Sequence, residues 1–431
     1  MNATTVASVH GRRVWDSRGR PTVEAEVTLA GGARGRAIAP AGASTGSGEA
    51  LDLRDGGAAF NGLDVRQAQA NISGEIAAAL RGADAADQTA VDRILLALDG
   101  TPNKRRLGGN AMIATSMAVA HAAANAQGVL LWHYLSNGKP GRLPLPEIQI
   151  FGGGAHAARR VDVQDFMVVC PRAASFAEAL DITAQVYAAA GTLLAERGLL
   201  QGVADEGGYW PAFSSNEEAL DMLLRAIERP GFSPGADVAI SLDIAASSFG
   251  KSGRYRLALE DRELDSDGLI ELLGRWIERY PIVSVEDPVA EDDAEGFRRF
   301  TRAFGARVQV VGDDFLVTDA ARVRQAAASG AVTAALIKPN QAGTLTETQA
   351  ALTAARAAGL AAIVSARSGE SEDVTIVHLA VGWDAGQLKV GSFARSERMA
   401  KWNEGLRIEE ALGPAARFAG GDVLPRAAGG T

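Results

Sequence analysis

Five short apolar runs in the second half of the chain each close on a charged residue. They are Val238–Asp243, Ile282–Glu286, Val308–Asp313, Ala334–Lys338 and Gly386–Lys389. Buried strands of a parallel sheet read as nearly continuous apolar runs. A charge at the carboxyl end of such a strand is where a (β/α) barrel keeps its chemistry. In chain order these charges are three acids followed by two lysines. Three converging carboxylates offer the oxygen donors that a hard divalent cation takes, and a lysine beside that cation can serve as a base. Taken singly, each acid is better read as a helix cap or an arginine partner. Taken together they are harder to dismiss, because burying so many charges for stability alone is costly. The metal reading is preferred.

The spacing fits a barrel. Asp313 and Lys338 lie 25 positions apart, about one strand–helix unit. A further apolar run, Ala361–Ser365, ends in Ala366-Arg367-Ser368 and falls between the two lysines. Ser215-Asn-Glu-Glu218 and Thr344-Leu-Thr-Glu347 are capping-box patterns, with Gly359 as the stop of the second helix. The 431 residues suit a barrel plus a smaller domain. A stretch with three prolines and two glycines, Ser136 to Pro146, divides the chain. This places an N-terminal domain at 1–135, a linker at 136–146 and the barrel domain at 147–431. In the first domain residues 8–40 alternate with period two, as in Thr22–Leu29, which predicts an antiparallel meander. Helical segments follow at about 67–81, 86–98 and 109–127. The fold class is α/β: a (β/α)8 barrel preceded by a smaller α+β domain.

Composition excludes some partners. A net charge of −9 and a pI near 5.3 argue against nucleic acid, which calls for a basic face. The single cysteine, Cys170, has no partner for an internal disulfide, so a cytoplasmic setting is expected. No signal-peptide core opens the chain. The most apolar long stretch, Ala111–Trp132, is broken by Thr115, Ser116, His121, Asn125 and Gln127, which predicts a buried helix and no membrane span. The glycine-rich end, Ala427–Thr431, reads as a frayed tail. Three glycine-containing runs remain: Ala41–Gly46, Gly152–Ala157 and Ala204–Tyr209. Each reads either as a tight turn or as a lid over a metal site, with Glu206 then a candidate acid.

Many separate motifs, in one order, carry a resemblance over nearly the whole chain. They include Asp16-Ser-Arg-Gly19, Ala43-Ser-Thr-Gly46, Leu53-Arg-Asp-Gly56, Leu98-Asp-Gly-Thr-Pro-Asn-Lys104 and Asp205-Glu-Gly-Gly208. Ser284-Val-Glu-Asp287, Gly312-Asp-Asp314, Ser368-Gly-Glu-Ser-Glu-Asp373 and Arg407-Ile-Glu-Glu-Ala-Leu-Gly413 continue it. The chain resembles the enolase family, the phosphopyruvate hydratases of glycolysis. The resemblance implies an α+β domain capping an irregular barrel whose first strands are not all parallel, a homodimer, and two Mg²⁺ ions. It implies Asp243, Glu286 and Asp313 as ligands of the first ion and Ser44 as a lid ligand of the second. Lys338 then matches the general base and Lys389 the carboxylate-binding lysine. Glu206 matches the acid that assists loss of the hydroxyl, Arg367 and Ser368 match phosphate-binding positions, and His156 matches the histidine of a closing loop. A lysine crowded by cations has its pKa depressed and can act as a base near neutral pH.

Four departures stand out. Asp165 replaces a glutamate as a catalytic acid, Ala366 replaces an active-site histidine, Gly152 replaces a lid asparagine, and Arg20 replaces an asparagine. Apart from Arg20 they surround the lid and the hydroxyl or phosphate side of a small phosphorylated carboxylate substrate. The resemblance thus implies conversion of 2-phosphoglycerate to phosphoenolpyruvate. The alternatives are a specialised paralogue acting on a modified phosphoglycerate, such as a carboxyphosphonoenolpyruvate synthase, and a non-catalytic protein that kept the fold.

Overall fold

A computed structural model describes residues 2–139 and 141–425, the side chain of His156 excepted. The glycine-rich end, Ala427–Thr431, lies outside the described residues. In the first domain β1 (Val6–Trp15), β2 (Pro21–Leu29) and β3 (Arg34–Ile38) form an antiparallel meander in that order. The expected helices follow as Arg66–Leu80, Gln88–Asp99 and Gly109–Ala126, the first widened into a π-helical turn at Ile72–Ile76. Asp87 starts the second by accepting a hydrogen bond from the Ala90 N–H.

The alanine-rich helix Gly109–Ala126 is buried almost all round, as its sequence predicts, although it ends at Ala126 and a separate short helix covers Leu131–Leu135. Its small side chains let β3 lie directly on its backbone. A Cβ on Gly35 would stand 2.1 Å from the Ala118 carbonyl oxygen and 2.2 Å from the Ala122 nitrogen. Polar contacts fasten this domain to the barrel. Lys104 Nζ pairs with Glu347 Oε1 at 2.8 Å. Asp92 accepts from the Thr346 N–H at 2.9 Å, and the Ser116 hydroxyl oxygen accepts from the Leu345 N–H at 3.0 Å.

The barrel domain contributes β4 (Leu145–Gly152), β5 (Asp165–Val169) and β6 (Ala239–Asp243). A small antiparallel sheet follows: β7 (Gly250–Lys251), β8 (Arg254–Leu257) and β9 (Arg262–Asp265). The chain then adds β10 (Ile282–Glu286), β11 (Gln309–Gly312), β12 (Ala334–Ile337), β13 (Ala361–Ser365) and β14 (Gly386–Ser392). The closed barrel runs β10-β11-β12-β13-β14-β4-β5-β6. Strand β5 is antiparallel to both its neighbours, and every other pair is parallel. No α-helix separates β4 from β5; two helices, Phe176–Glu196 and Asn216–Glu228, follow β5 instead. Reversal of β5 brings its first residue, not its last, to the mouth formed by the carboxyl ends of the others, so Asp165 stands in register with Asp243.

The local signals hold. Ser215 accepts from the Glu218 N–H at 3.1 Å, and Glu218 reaches back to the Ser214 N–H at 2.7 Å. Thr344 accepts from the Glu347 N–H at 3.2 Å, and Gly359 takes φ +74° just past that helix. Helix capping by acids is done by Asp265, Asp293 and Asp319, which leaves Asp243, Glu286 and Asp313 for other work. No helix among the described residues is long and apolar enough to cross a membrane.

Replacing Gly35 with alanine forces a methyl group into helix backbone that has no rotamer to change. Overpacking of this kind costs about 1–3 kcal/mol. Thermal unfolding of Gly35→Ala should show that loss, and an unchanged Tm would refute the close contact.

Candidate active site

The strand-end charges converge at one mouth. Strand β6 ends on Asp243 and β10 on Glu286, paired in register. Asp313 and Lys338 each follow the last residue of β11 and β12. Lys389 differs from the expectation: β14 does not stop there but continues to Ser392, because Gly391 and Ser392 go on pairing with Ile148 and Gln149 of β4. A register shift between Lys389 and Gly391 marks the place. Lys389 is therefore a mid-strand residue, beside Ser365 and Glu147.

All five charged side chains are buried, so each must find its counterpart inside. Lys389 Nζ lies 2.8 Å from both Asp243 Oδ2 and Glu286 Oε2, and 3.5 Å from Asp165 Oδ2. Lys338 Nζ pairs with Asp313 Oδ2, while Gln341 Nε2 donates to Asp313 Oδ1 at 2.9 Å. Gln164 Nε2 donates to Asp243 Oδ2 at 3.0 Å. Glu286 Oε1, though buried, has no hydrogen-bond partner among the described residues.

The electrostatics follow from this packing. Burial, and then the neighbouring Asp243, push the Glu286 carboxyl well above its ordinary range. Burial would raise Asp313 as well, but the Lys338 ammonium holds it below its usual value. Burial pulls Lys389 down, yet Asp243 and Glu286 more than reverse this and hold it well above the ordinary lysine value. Lys338 likewise rises, since Asp313 outweighs the effect of burial. The depression expected of the base is tied to bound cations; with Asp313 as its ion-pair partner, the Lys338 ammonium is favoured. An all-oxygen donor set, an unanswered Glu286 oxygen and an acid that resists ionising without further positive charge together fit a hard divalent cation.

A tighter acidic group lies beside this one. Carboxylate oxygens of Asp287, Asp313 and Asp314 fall within 4.8 Å of one another. Asp287 accepts the N–H groups of Asp313 and Asp314, both at 2.9 Å. It orients the turn that carries Asp313. Burial, followed by Asp313, raises the Asp314 carboxyl to about 7. Sequence reasoning gave no role to Asp287 or Asp314, although the Glu-Asp and Asp-Asp doublets were the visible signal.

Five of the remaining predicted residues line one narrow cavity, whose wall includes Asp243 but neither Glu286 nor Asp313. Ser44, Asp165, Glu206, Arg367 and Ser368 line it with Lys338 and Lys389. Its volume is about 20 Å³, room for one water. Larger hollows, such as the 580 Å³ cleft beside β7–β9, include none of these charges. Arg367 is already engaged: Nη1 donates to Glu49 Oε2 at 2.9 Å and Asn340 Oδ1 at 3.0 Å, and Nη2 to the Ser44 carbonyl at 2.8 Å. These contacts hold the Ala41–Gly46 segment over the barrel. The Ser368 hydroxyl lies 3.5 Å from Arg18 Nη1. The backbone at His156 belongs to the short 3₁₀ turn Gly154–Ala157; its side chain is outside what the structure describes.

The departures have structural counterparts. Ala366 is buried on the cavity wall, its N–H donating to the Lys389 carbonyl at 2.8 Å. At Gly152 a Cβ would meet the Ala204 methyl at 2.7 Å, so no empty slot replaces the missing asparagine. Arg20 is exposed and does not line the cavity.

Asp287→Ala would strip the acceptor from two buried N–H groups, at about 1–3 kcal/mol each. Thermal denaturation of the metal-free protein should register a substantial loss. Wild-type stability in that variant would contradict the orienting role.

Comparison with known families completes the picture. A model described as the enolase N-terminal domain matches residues 6–135. A second, described as the enolase C-terminal TIM barrel domain, matches residues 141–427. With the reversed β5 and the ring of strand-end charges in place, the chain belongs to the enolase family of lyases.

Proposed function

We propose that this protein removes the α-proton of 2-phosphoglycerate and eliminates water, giving phosphoenolpyruvate in an Mg²⁺-dependent reaction. The observation that carries this reading is a pair of buried lysines, Lys338 and Lys389, lining one narrow cavity with Asp165, Glu206 and Asp243. A proton beside a carboxylate is very weakly acidic, and its removal builds further negative charge on that group. Mg²⁺ held by Asp243, Glu286 and Asp313 would supply the positive charge that stabilises this build-up.

Lys338 accepts the α-proton at Nζ. Its present partner, Asp313, would share its charge on metal binding, which favours the neutral amine. Lys389 stays an ammonium and binds the substrate carboxylate. Glu206, with Asp165, protonates the departing hydroxyl. Arg367 and Ser368 hold the phosphate, Ser44 would help to hold a second Mg²⁺, and His156 would close over the site. The same reading takes the enzyme as a cytoplasmic homodimer.

Ala366 and Asp165 favour a second reading, a paralogue acting on a modified phosphoglycerate. Both changes lie on the hydroxyl and phosphate side, while the proton-abstracting residues are intact.

Purified protein with Mg²⁺ and 2-phosphoglycerate should develop the ultraviolet absorbance of phosphoenolpyruvate. Chelator should abolish it, and Lys338→Ala should lower the rate by about 10²–10⁴-fold. Mg²⁺ alone should raise the Tm of the wild type and do so much less for Glu286→Gln. Exchange of the α-proton with solvent deuterium without turnover would move the assignment to the second reading. Absence of both turnover and exchange would overturn the proton-abstraction reading for this substrate.

A further inference from the structure

Asp165 is shorter by one methylene than the glutamate expected at its position, yet its carboxylate reaches the cavity and lies 3.5 Å from Lys389 Nζ. Its register partner across the β4–β5 pair is Gly152, and diagonally across that pair its side chain meets an amide. Gln149 of β4 and Asp165 of β5 are both fully buried. Gln149 Nε2 donates to Asp165 Oδ1, and Gln149 Oε1 accepts the Gly208 N–H at 2.8 Å. Both ends of the amide are thus assigned, because a flipped amide would set its NH₂ group against the Gly208 N–H. Gly208 allows this approach: a Cβ there would stand 2.4 Å from Gln149 Oε1.

Gly208 closes the loop that carries Glu206, and that loop is laid along β4 by backbone bonds. The Gly152 N–H donates to the Tyr209 carbonyl at 2.8 Å, and the Tyr209 N–H to the Ile150 carbonyl at 2.9 Å. One side chain therefore touches the carboxylate of one acid and the backbone of the loop bearing the other. An asparagine at 149 could not span the two contacts from the same strand position. A glutamate at 165 would drive its carboxylate into the Gln149 amide.

We propose that Gln149 is a positioning residue for Asp165: its longer arm supplies the methylene that Asp165 lacks, and so sets the acid side of the site. This inference rests on the reading of Asp165 as part of that acid side. The pair is matched in summed length, so its members are exchangeable only together.

The test uses four full-length proteins: wild type, Gln149→Asn, Asp165→Glu and the double variant. Each single change should lower kcat for phosphoenolpyruvate formation, because a misplacement of about 1 Å costs on the order of 100-fold. KM should hardly move, and α-proton exchange should fall less than elimination, since Lys338 is untouched. The double variant should recover most of the lost kcat. Thermal unfolding of the same four proteins without metal reads the coupling independently of activity. There the double variant should be more stable than the sum of the single losses allows. If a single variant fails to fold, recovery of folding in the double supports the proposal, and failure to recover overturns it. Losses that simply multiply in kcat and add in stability would also overturn it. If the wild type does not turn over 2-phosphoglycerate, the substrate assignment falls while the stability cycle still decides the role of Gln149.

Discussion

The molecule is organised around the balance of buried charge at the barrel mouth. Lys389 bridges Asp243 and Glu286, and Lys338 answers Asp313. All of these groups are buried, so whatever charge each carries depends on its partners. Strand order makes those partnerships possible. Asp243, Glu286 and Asp313 belong to or follow three adjacent barrel strands, and the lysines come from strands on either side of β13. Removing Lys389 would leave Asp243 and Glu286 to share a low-dielectric space, and removing Lys338 would leave Asp313 without its ion pair.

Much of this was legible in the sequence for a simple reason. A strand buried on both faces must be apolar until it leaves the sheet, so the residue that ends the run marks the mouth. The capping patterns at Ser215 and Thr344 were equally readable, because a cap is a local contract between a hydroxyl and an N–H three residues on. What stayed hidden depends on pairing between distant segments. The resemblance implies first strands that are not all parallel, but Asp165–Val169 by itself reads as a strand in either direction, and only its neighbours decide that β5 is the reversed one. The end of β14 was missed because pairing with β4, rather than hydropathy, extends it beyond Lys389. The amides of Gln149, Gln164 and Gln341 carry no periodic signal, yet each touches a carboxylate at the mouth.

The first domain is more than a cover. Its loop at Ala41–Gly46 is tied down through Arg367, whose terminal nitrogens are taken up by Glu49, Asn340 and the Ser44 carbonyl. Gln341 joins the same set: its amide reaches Glu49 Oε1 at 3.2 Å as well as Asp313. The Ala41–Gly46 loop, Arg367 and Asp313, the partner of Lys338, therefore share one hydrogen-bond network, which couples the position of the loop to Asp313.

The reversed β5 has a comparable effect on the opposite wall. In a regular barrel the segment after a strand runs into a helix, whose rigid cylinder takes up loop movement before the next strand begins. Here the stretch between Gly152 and Asp165 is anchored at both ends to neighbouring strands, with only a 3₁₀ turn between. It forms a short strap across the end of the β4–β5 pair. Because the strap ends at Asp165 itself, its course and the backbone position of that acid are set together.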